Sequence, residues 1–194
     1  MNLPNKLTIT RLILSPVFFI WYFSFSCFKI PLFLYSVVLI LIYAVMELTD
    51  LIDGKIARKH HLVTDLGKVM DPFGDVISHL TFFTCFLVTS IMPVWAFIVI
   101  LWREFAQSFM RMLLMGKGKA LSANIFGKLK TVFYAICSVL SITLRILTLY
   151  GYSESWMLVF MTVLFSVSAL LSALSFIVYI RNINTLGLLK DMSR

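Results

Sequence analysis

The sequence predicts an all-α polytopic membrane protein, a six-transmembrane-helix bundle with a short N-terminal interfacial helix. The chain has 194 residues, of which 60% are hydrophobic and only 13% are charged. This balance is typical of integral membrane proteins and not of soluble domains. Six mostly apolar segments are each long enough for a helix that crosses a bilayer, which needs roughly 20 residues. The breaks between them are short, so adjacent helices are expected to run antiparallel in one bundle.

The six segments cover residues 11–28, 32–52, 72–92, 94–115, 128–149 and 156–180. The stretch before the first of them, about 3–14, is expected to begin as an interfacial helix, because Pro4 suits a first helical turn. A polar hairpin at 55–68 separates the second segment from the third. The chain shows no internal repeat and no soluble insertion, so we expect residues 1–194 to form a single membrane domain.

The net charge of +8 is distributed as a membrane topology signal. Fourteen of the 17 Lys and Arg residues fall at one set of alternate helix ends, whereas Lys29 and Arg145 fall at the other and Arg103 lies within the fourth segment. Basic residues accumulate on the cytoplasmic side of membrane proteins. Both termini are therefore predicted to be cytoplasmic, and nucleic acid is not expected as a partner.

Four of the nine acidic residues fall in two short clusters at the ends of apolar segments. Asp50 and Asp53 close the second segment, and Asp71 and Asp75 open the third. An ionised carboxylate in such a place is costly unless it is paired or bound to metal. Residues three or four apart share a helix face, and the hairpin folds the two helices back on each other, so the four carboxylates can converge. Oxygen ligands of this kind suit one or two Mg²⁺ or Mn²⁺ ions.

The same face of the second helix suits a nucleotide diphosphate. Gly54 and Ala57 leave it nearly bare of side chain, which lets a ligand approach the backbone. Arg58 adds a fixed cation suited to phosphate. Ion pairing at the membrane interface is the usual role of a lone interfacial aspartate, but four at this spacing favour a metal site with room for a pyrophosphate.

The pattern Asp-x2-Asp-Gly-x2-Ala-Arg-x8-Gly-x3-Asp-x3-Asp, from Asp50 to Asp75, resembles the signature of the CDP-alcohol phosphatidyltransferases at every position. The resemblance implies that Asp50, Asp53 and Asp71 bind metal. It implies that Asp75 helps to hold a second metal ion and is the general base. It also implies a homodimer and a CDP-diacylglycerol donor, which would be contacted by Asp50, Asp53, Gly54, Ala57, Arg58, Gly67 and Asp71.

Other segments most resemble the bacterial phosphatidylglycerophosphate synthases within that family: residues 2–11, 103–111 and 123–131. This resemblance implies glycerol 3-phosphate as the acceptor and the bacterial inner membrane as the location. A small dianion needs cations in its pocket, and the candidates are Arg103, Arg111, Lys128 and Lys130.

The spacing of these basic residues separates their roles. Arg103 and Arg111 lie about two helical turns apart and can share a face. Lys128 and Lys130 cannot both face one way, so one is expected to bind the acceptor and the other a membrane lipid phosphate. Glu104 is next to Arg103 in the sequence but is expected to point elsewhere.

The acceptor stays open because several positions depart from the subgroup, among them Val76, Gly74 and Met70. Val76 stands where a lysine usually follows the last aspartate, and Gly74 stands where alanine is usual. Inositol phosphate, serine, another phospholipid, or diacylglycerol with a CDP-choline donor are therefore alternatives. A divalent-cation transporter is a more distant alternative. Such proteins commonly show repeats and polar residues near the bilayer midplane, whereas this sequence shows no repeat and its carboxylates are predicted at helix ends.

Two further polar residues lie one turn from the signature aspartates. His79 follows Asp75 and is expected to be hydrogen-bonded within its helix. Glu47 precedes Asp50, and it is either a further polar site residue or a hydrogen-bond partner within the bundle.

Overall fold

The computed structural model describes residues 3–59, 65–116, 125–152 and 154–185, and within these ranges it excludes the side chains of 3–5, 53–59, 65–66 and 68–69. The described ranges form six α-helices and contain no strand. The helices are α1 Leu3–Cys27, α2 Leu32–Lys59, α3 Asp65–Val88, α4 Val94–Gly116, α5 Ile125–Leu149 and α6 Ser155–Thr185. The predicted all-α class is confirmed, and each predicted segment corresponds to one helix.

Four of the described helices are long and apolar enough to cross a membrane. These spans are Lys6–Cys27, Leu32–Ile52, Ile125–Leu149 and Ser155–Thr185. The other two helices carry more charge, since α3 contains Asp71 and Asp75 and α4 contains Arg103, Glu104 and Arg111. The prediction of six spans is therefore supported only in part: six helices are present, and four of them have the composition of a membrane span.

The opening stretch of the chain does not form a separate interfacial helix. Helix α1 runs without interruption from Leu3 to Cys27 and includes Pro16. Its apolar stretch begins at Lys6. The predicted interfacial segment is therefore the first part of a helix that continues into the apolar span.

The described chain divides into two compact units. Unit 1 comprises Met1–Thr89 and Ile142–Ser153, and unit 2 comprises Ser90–Ser141 and Glu154–Arg194. The single-domain interpretation stays a prediction, and the two units are considered separately below.

In unit 1, helix α1 packs against both α2 and α3. Phe18 of α1 meets Phe82 of α3 edge-on, with ring centroids 4.7 Å apart, and Tyr43 of α2 lies 5.2 Å from the same ring. Such aromatic pairs add about 0.5–1.5 kcal/mol beyond their buried area. The Tyr35 hydroxyl of α2 also donates to the carbonyl oxygen of Tyr22, at 2.9 Å. These contacts fix α1 beside the two helices that carry the aspartates.

In unit 2, helix α4 packs against α6. Helix α6 presents three buried serines at helical spacing, Ser168, Ser172 and Ser175. Small residues let neighbouring helices approach closely, and their hydroxyls can bond across the contact. The hydroxyl of Tyr134 on α5 is hydrogen-bonded to Ser172 Oγ at 2.9 Å, and Cys137 Sγ lies 3.2 Å from Ser168 Oγ. Helices α4, α5 and α6 therefore share a polar interior.

Candidate active site

Two of the signature aspartates converge on one cation. Arg11 Nη1 on α1 donates to Oδ1 of Asp50 on α2 and to Oδ1 of Asp75 on α3, the latter at 2.6 Å. The Arg11 side chain is only 2% exposed, whereas those of Asp50 and Asp75 are 36% and 43% exposed. Since both oxygens bond the same nitrogen atom, the carboxylates of α2 and α3 meet at a single point.

A third aspartate also contacts α1. Thr8 Oγ1 donates to Asp71 Oδ1 at 2.6 Å. Thr8 lies three residues before Arg11, so the two share a helix face. A Cβ atom added to Gly74 would lie 2.9 Å from Thr8 Cγ2, which is closer than carbon atoms normally approach. The absence of a side chain at Gly74 therefore lets α1 come close to α3.

The described carboxylates suit a divalent cation in their chemistry and in part of their placement. Asp50 and Asp75 present hard oxygen donors to a point where a positive group already lies, and Mg²⁺ and Mn²⁺ prefer such donors. Among the described side chains, no group of three or more His, Cys, Asp or Glu residues could hold a metal ion. The predicted fourth ligand, Asp53, lies outside those side chains, so the complete predicted set is not described.

Most of the predicted nucleotide-binding face also lies outside the described side chains. Asp53, Gly54, Ala57 and Arg58 belong to α2 by their backbone, but their side chains are not described. Gly67, the remaining signature glycine, is buried near the start of α3.

Glu47 and His79 lie beside the paired aspartates. A small cavity in unit 1 is lined by Arg11, Met46, Glu47, Asp50, Asp75, Ser78, His79 and Phe82. Glu47 therefore lies at the candidate site, which agrees with the first of its two predicted roles, that of a further polar site residue. His79 Nδ1 donates to the backbone carbonyl oxygen of Asp75 at 2.8 Å, which confirms the expected hydrogen bond within the helix.

Unit 2 holds a buried cluster of opposite charges around Glu104. Arg103 Nη1 donates to both carboxylate oxygens of Glu104, at 2.9 and 3.0 Å, and its Nη2 donates to Ser175 Oγ at 2.9 Å. Lys130 Nζ donates to Glu104 Oε1 at 2.6 Å, and the Tyr134 hydroxyl donates to the same oxygen at 3.0 Å. The expectation that Glu104 points away from Arg103 is wrong. Both long side chains are buried, and a buried charge is costly unless it is paired.

The four predicted acceptor-binding residues do not share one environment. Arg103 and Lys130 are joined through Glu104, and the Lys130 ammonium also lies 4.7 Å from the centre of the Tyr134 ring. Arg111 is half-buried on α4, and Lys128 is exposed on α5. The two lysines thus face different surroundings, as their spacing predicts. Two cations and one carboxylate leave the cluster with an excess of positive charge.

Sequence reasoning missed Arg11 and Thr8 as site residues. The prediction counted Arg11 among the basic residues that mark the cytoplasmic side. Its position at the start of an apolar segment is a signal that could have found it, because an arginine at membrane depth needs an acidic partner. The short spacing from Thr8 to Arg11 places a second polar group on the same face.

Comparison with known proteins agrees with the signature. Residues 1–170 match the sequence model of the family described as CDP-alcohol phosphatidyltransferase. Since the match covers most of the chain, the protein belongs to this family.

Several curated relatives carry the name CDP-diacylglycerol–glycerol-3-phosphate 3-phosphatidyltransferase. The relative from Treponema pallidum (strain Nichols) is 40% identical over 112 residues, which are 58% of this chain and 52% of the relative. The Bacillus subtilis (strain 168) relative is 35% identical over 136 residues, or 67% and 70% of the two chains. The Aquifex aeolicus (strain VF5) relative is 33% identical over 184 residues, or 92% and 94%. The match thus spans about half of the Treponema relative but nearly all of the Aquifex one.

Proposed function

We propose that this protein transfers the phosphatidyl group of CDP-diacylglycerol to glycerol 3-phosphate, giving phosphatidylglycerophosphate and CMP. Family membership and the names of the relatives support this reaction. The observation that carries it is the meeting of the Asp50 and Asp75 carboxylates at one point, within a complete family signature.

The acidic ends of α2 and α3 form the part of the proposed site that binds CDP-diacylglycerol, the phosphatidyl donor. Asp50, Asp53, Asp71 and Asp75 would together hold one or two Mg²⁺ or Mn²⁺ ions. Bound there, these ions would neutralise the pyrophosphate of the donor and polarise the phosphorus under attack. The remaining donor contacts are assigned to the residues that leave room for the nucleotide or bind its phosphates, namely Gly54, Ala57, Arg58 and Gly67.

Asp75 is assigned the proton transfer. Its carboxylate takes the proton from the attacking hydroxyl of glycerol 3-phosphate, the hydroxyl oxygen bonds to the lipid-side phosphorus, and the bond from that phosphorus to CMP breaks. Two observations support this role. The Asp75 side chain is 43% exposed, so a soluble acceptor can reach it, and the contact with Arg11 holds one of its oxygens in place.

The basic residues of α4 and α5 are assigned to the phosphate of the acceptor. The excess positive charge around Glu104 favours an anion near Lys130 and Arg103. Exposed Lys128 and half-buried Arg111 are available for direct contact. Arg103 already donates to Glu104 and Ser175, so its contribution is to keep the cluster in place and positively charged.

The proposed setting is the bacterial inner membrane, with all six helices crossing it and both termini in the cytoplasm. Four helices have the composition of a membrane span, and the Lys and Arg residues favour this orientation. The lipid donor enters from the bilayer, and the enzyme works as a homodimer among membrane lipids. Mapping of both termini by protease access in sealed vesicles tests the orientation.

A panel of acceptors tests the proposed reaction. The purified protein in mixed micelles receives CDP-diacylglycerol, a divalent metal and one acceptor: glycerol 3-phosphate, inositol phosphate or serine. We expect lipid product and CMP in equal amounts when the acceptor is glycerol 3-phosphate, and neither product with the other two acceptors. Faster product formation with another acceptor would reassign the substrate within the family. No CMP with any of them would reject the proposed donor.

A further inference from the structure

The cation that joins the two aspartates belongs to α1 and not to either helix of the family signature. Arg11 is buried, and one of its nitrogen atoms bonds both Asp50 and Asp75. Those two carboxylates are each more than one third exposed. The positive group therefore lies beneath the carboxylates, and their more exposed sides face outwards.

Two carboxylates at one point repel each other unless a positive charge lies between them. Arg11 supplies that charge without any bound ion. Thr8, one turn earlier on the same helix, holds Asp71 by a 2.6 Å hydrogen bond. Helix α1 thus contacts each of the three signature aspartates whose side chains the structure describes, through two side chains on one face.

We infer that Arg11 is a positioning residue that takes the place of a divalent cation in the metal-free protein and competes with it for the aspartates. This inference rests on the proposed function, because it takes the four aspartates as the metal site. Arg11 keeps Asp50 and Asp75 together when no metal is bound, and binding of the metal weakens at least one of its two hydrogen bonds. The competition lowers the affinity of the site for metal.

The two possible roles of Arg11, competition with metal and packing of α1 alone, predict different results when Arg11 is replaced. If Arg11 only packs α1 against the other helices, its loss destabilises the protein equally with and without metal. If Arg11 competes with metal, its loss destabilises the metal-free protein most, and metal binds the variant more tightly. The direction follows from charge, because the removal of a fixed cation makes the site more negative.

The experiment compares wild type with Arg11→Met and with Arg181→Met, a control at an exposed arginine on α6. Mn²⁺ binding to the purified, substrate-free full chain in detergent is measured by the electron paramagnetic resonance signal of free Mn²⁺. The thermal unfolding midpoint is recorded in EDTA and in MnCl₂. We expect Arg11→Met to bind Mn²⁺ at least about tenfold more tightly, to unfold earlier in EDTA, and to gain more from Mn²⁺ than wild type. Arg181→Met should match wild type.

The outcomes separate this inference from the proposed function. An equal loss of thermal stability in EDTA and MnCl₂, with unchanged or weaker Mn²⁺ binding, would overturn the role of Arg11 alone. If wild type itself binds no Mn²⁺, the proposed metal site fails as well. A second charge-neutral variant keeps the test open if Arg11→Met does not fold. The replacement in that case is Arg11→Gln and not lysine, because glutamine removes the charge and can still donate a hydrogen bond to one carboxylate, so its Mn²⁺ affinity should still exceed that of wild type.

Discussion

The ammonium group of Lys130 lies 2.6 Å from Oε1 of Glu104, and the same carboxylate accepts two hydrogen bonds from Arg103. One buried carboxylate therefore holds two cations from different helices, of which Arg103 is buried and Lys130 is mostly covered. Arg103 and Lys130 therefore have a partner within the chain before any substrate arrives. Under the proposed function, an acceptor phosphate would join this network and would not meet isolated cations.

Replacement of Glu104 by glutamine should destabilise unit 2. The amide leaves buried Arg103 and mostly covered Lys130 without their carboxylate partner, and the loss of one partner of a buried ion pair costs about 3–5 kcal/mol. We expect a markedly lower midpoint for thermal unfolding in detergent, followed by circular dichroism. The control is Glu154→Gln, which changes an exposed glutamate and should leave the midpoint within one or two degrees of wild type. Equal midpoints for the two variants would contradict a buried charge network.

Lys128 and Lys130 should respond differently to replacement by alanine. Lys130 is paired inside the protein, whereas Lys128 is exposed. Lys130→Ala should lower both thermal stability and activity. Lys128→Ala should leave stability unchanged and raise KM for glycerol 3-phosphate, because a hydrogen bond to a charged group contributes about 1.5–3 kcal/mol, or roughly 10- to 150-fold. The measurement is initial rate against acceptor concentration. An unchanged KM in Lys128→Ala would remove Lys128 from the acceptor site.

Replacement of Asp75 by asparagine should reduce turnover by about 10²- to 10⁴-fold, the usual contribution of a positioned general base. The amide keeps the shape of the side chain but cannot accept the proton. His79→Gln is the matched control on the next turn of α3, because His79 donates to the backbone oxygen of Asp75 and not to its carboxylate in that hydrogen bond. The turnover of the His79→Gln variant should fall by less than about tenfold. Normal kcat in Asp75→Asn would refute the assignment of the base.

A methyl group at Gly74 should push α1 away from the aspartates. Alanine there brings Cβ to 2.9 Å from Thr8 Cγ2, and overpacking of this kind costs about 1–3 kcal/mol. The gain in helix propensity from glycine to alanine, about 1 kcal/mol, offsets only part of it. At Gly116, where nothing lies within 4 Å of an added Cβ, the same change should be neutral or slightly stabilising. Chemical unfolding of both variants checks this, and a Gly74→Ala protein as stable as Gly116→Ala would contradict close packing of α1.

The helices and the acidic cluster could be predicted from the sequence because their signals are local. Apolar segments of membrane length predict helices. The spacing of Asp50 and Asp53, and of Asp71 and Asp75, predicts one acidic face on each helix, and the short polar connection between the helices predicts that the two faces meet. The number of spans was harder to predict. Helices α3 and α4 carry charged residues that lower their hydropathy, so length and composition support only four of the six described helices as membrane spans.

The partners of the charged residues could not be predicted in the same way. Arg11 meets Asp50 and Asp75 across 39 and 64 residues of sequence, and no local pattern encodes such a pairing. Glu104 was misplaced for a related reason. Adjacent positions on a helix point in different directions, but long side chains bend toward each other where burial leaves each charge without water.

The most direct test of the central claim is the release of CMP from CDP-diacylglycerol by the purified protein, with and without divalent metal. The account predicts that release requires glycerol 3-phosphate, stops in EDTA and returns with Mg²⁺ or Mn²⁺. In Asp50→Asn, which loses one of the two converging carboxylates, the metal should restore little or no activity. CMP release that continues unchanged in EDTA, or that Asp50→Asn supports at the wild-type rate, would contradict the claim that these aspartates hold metal for the transfer.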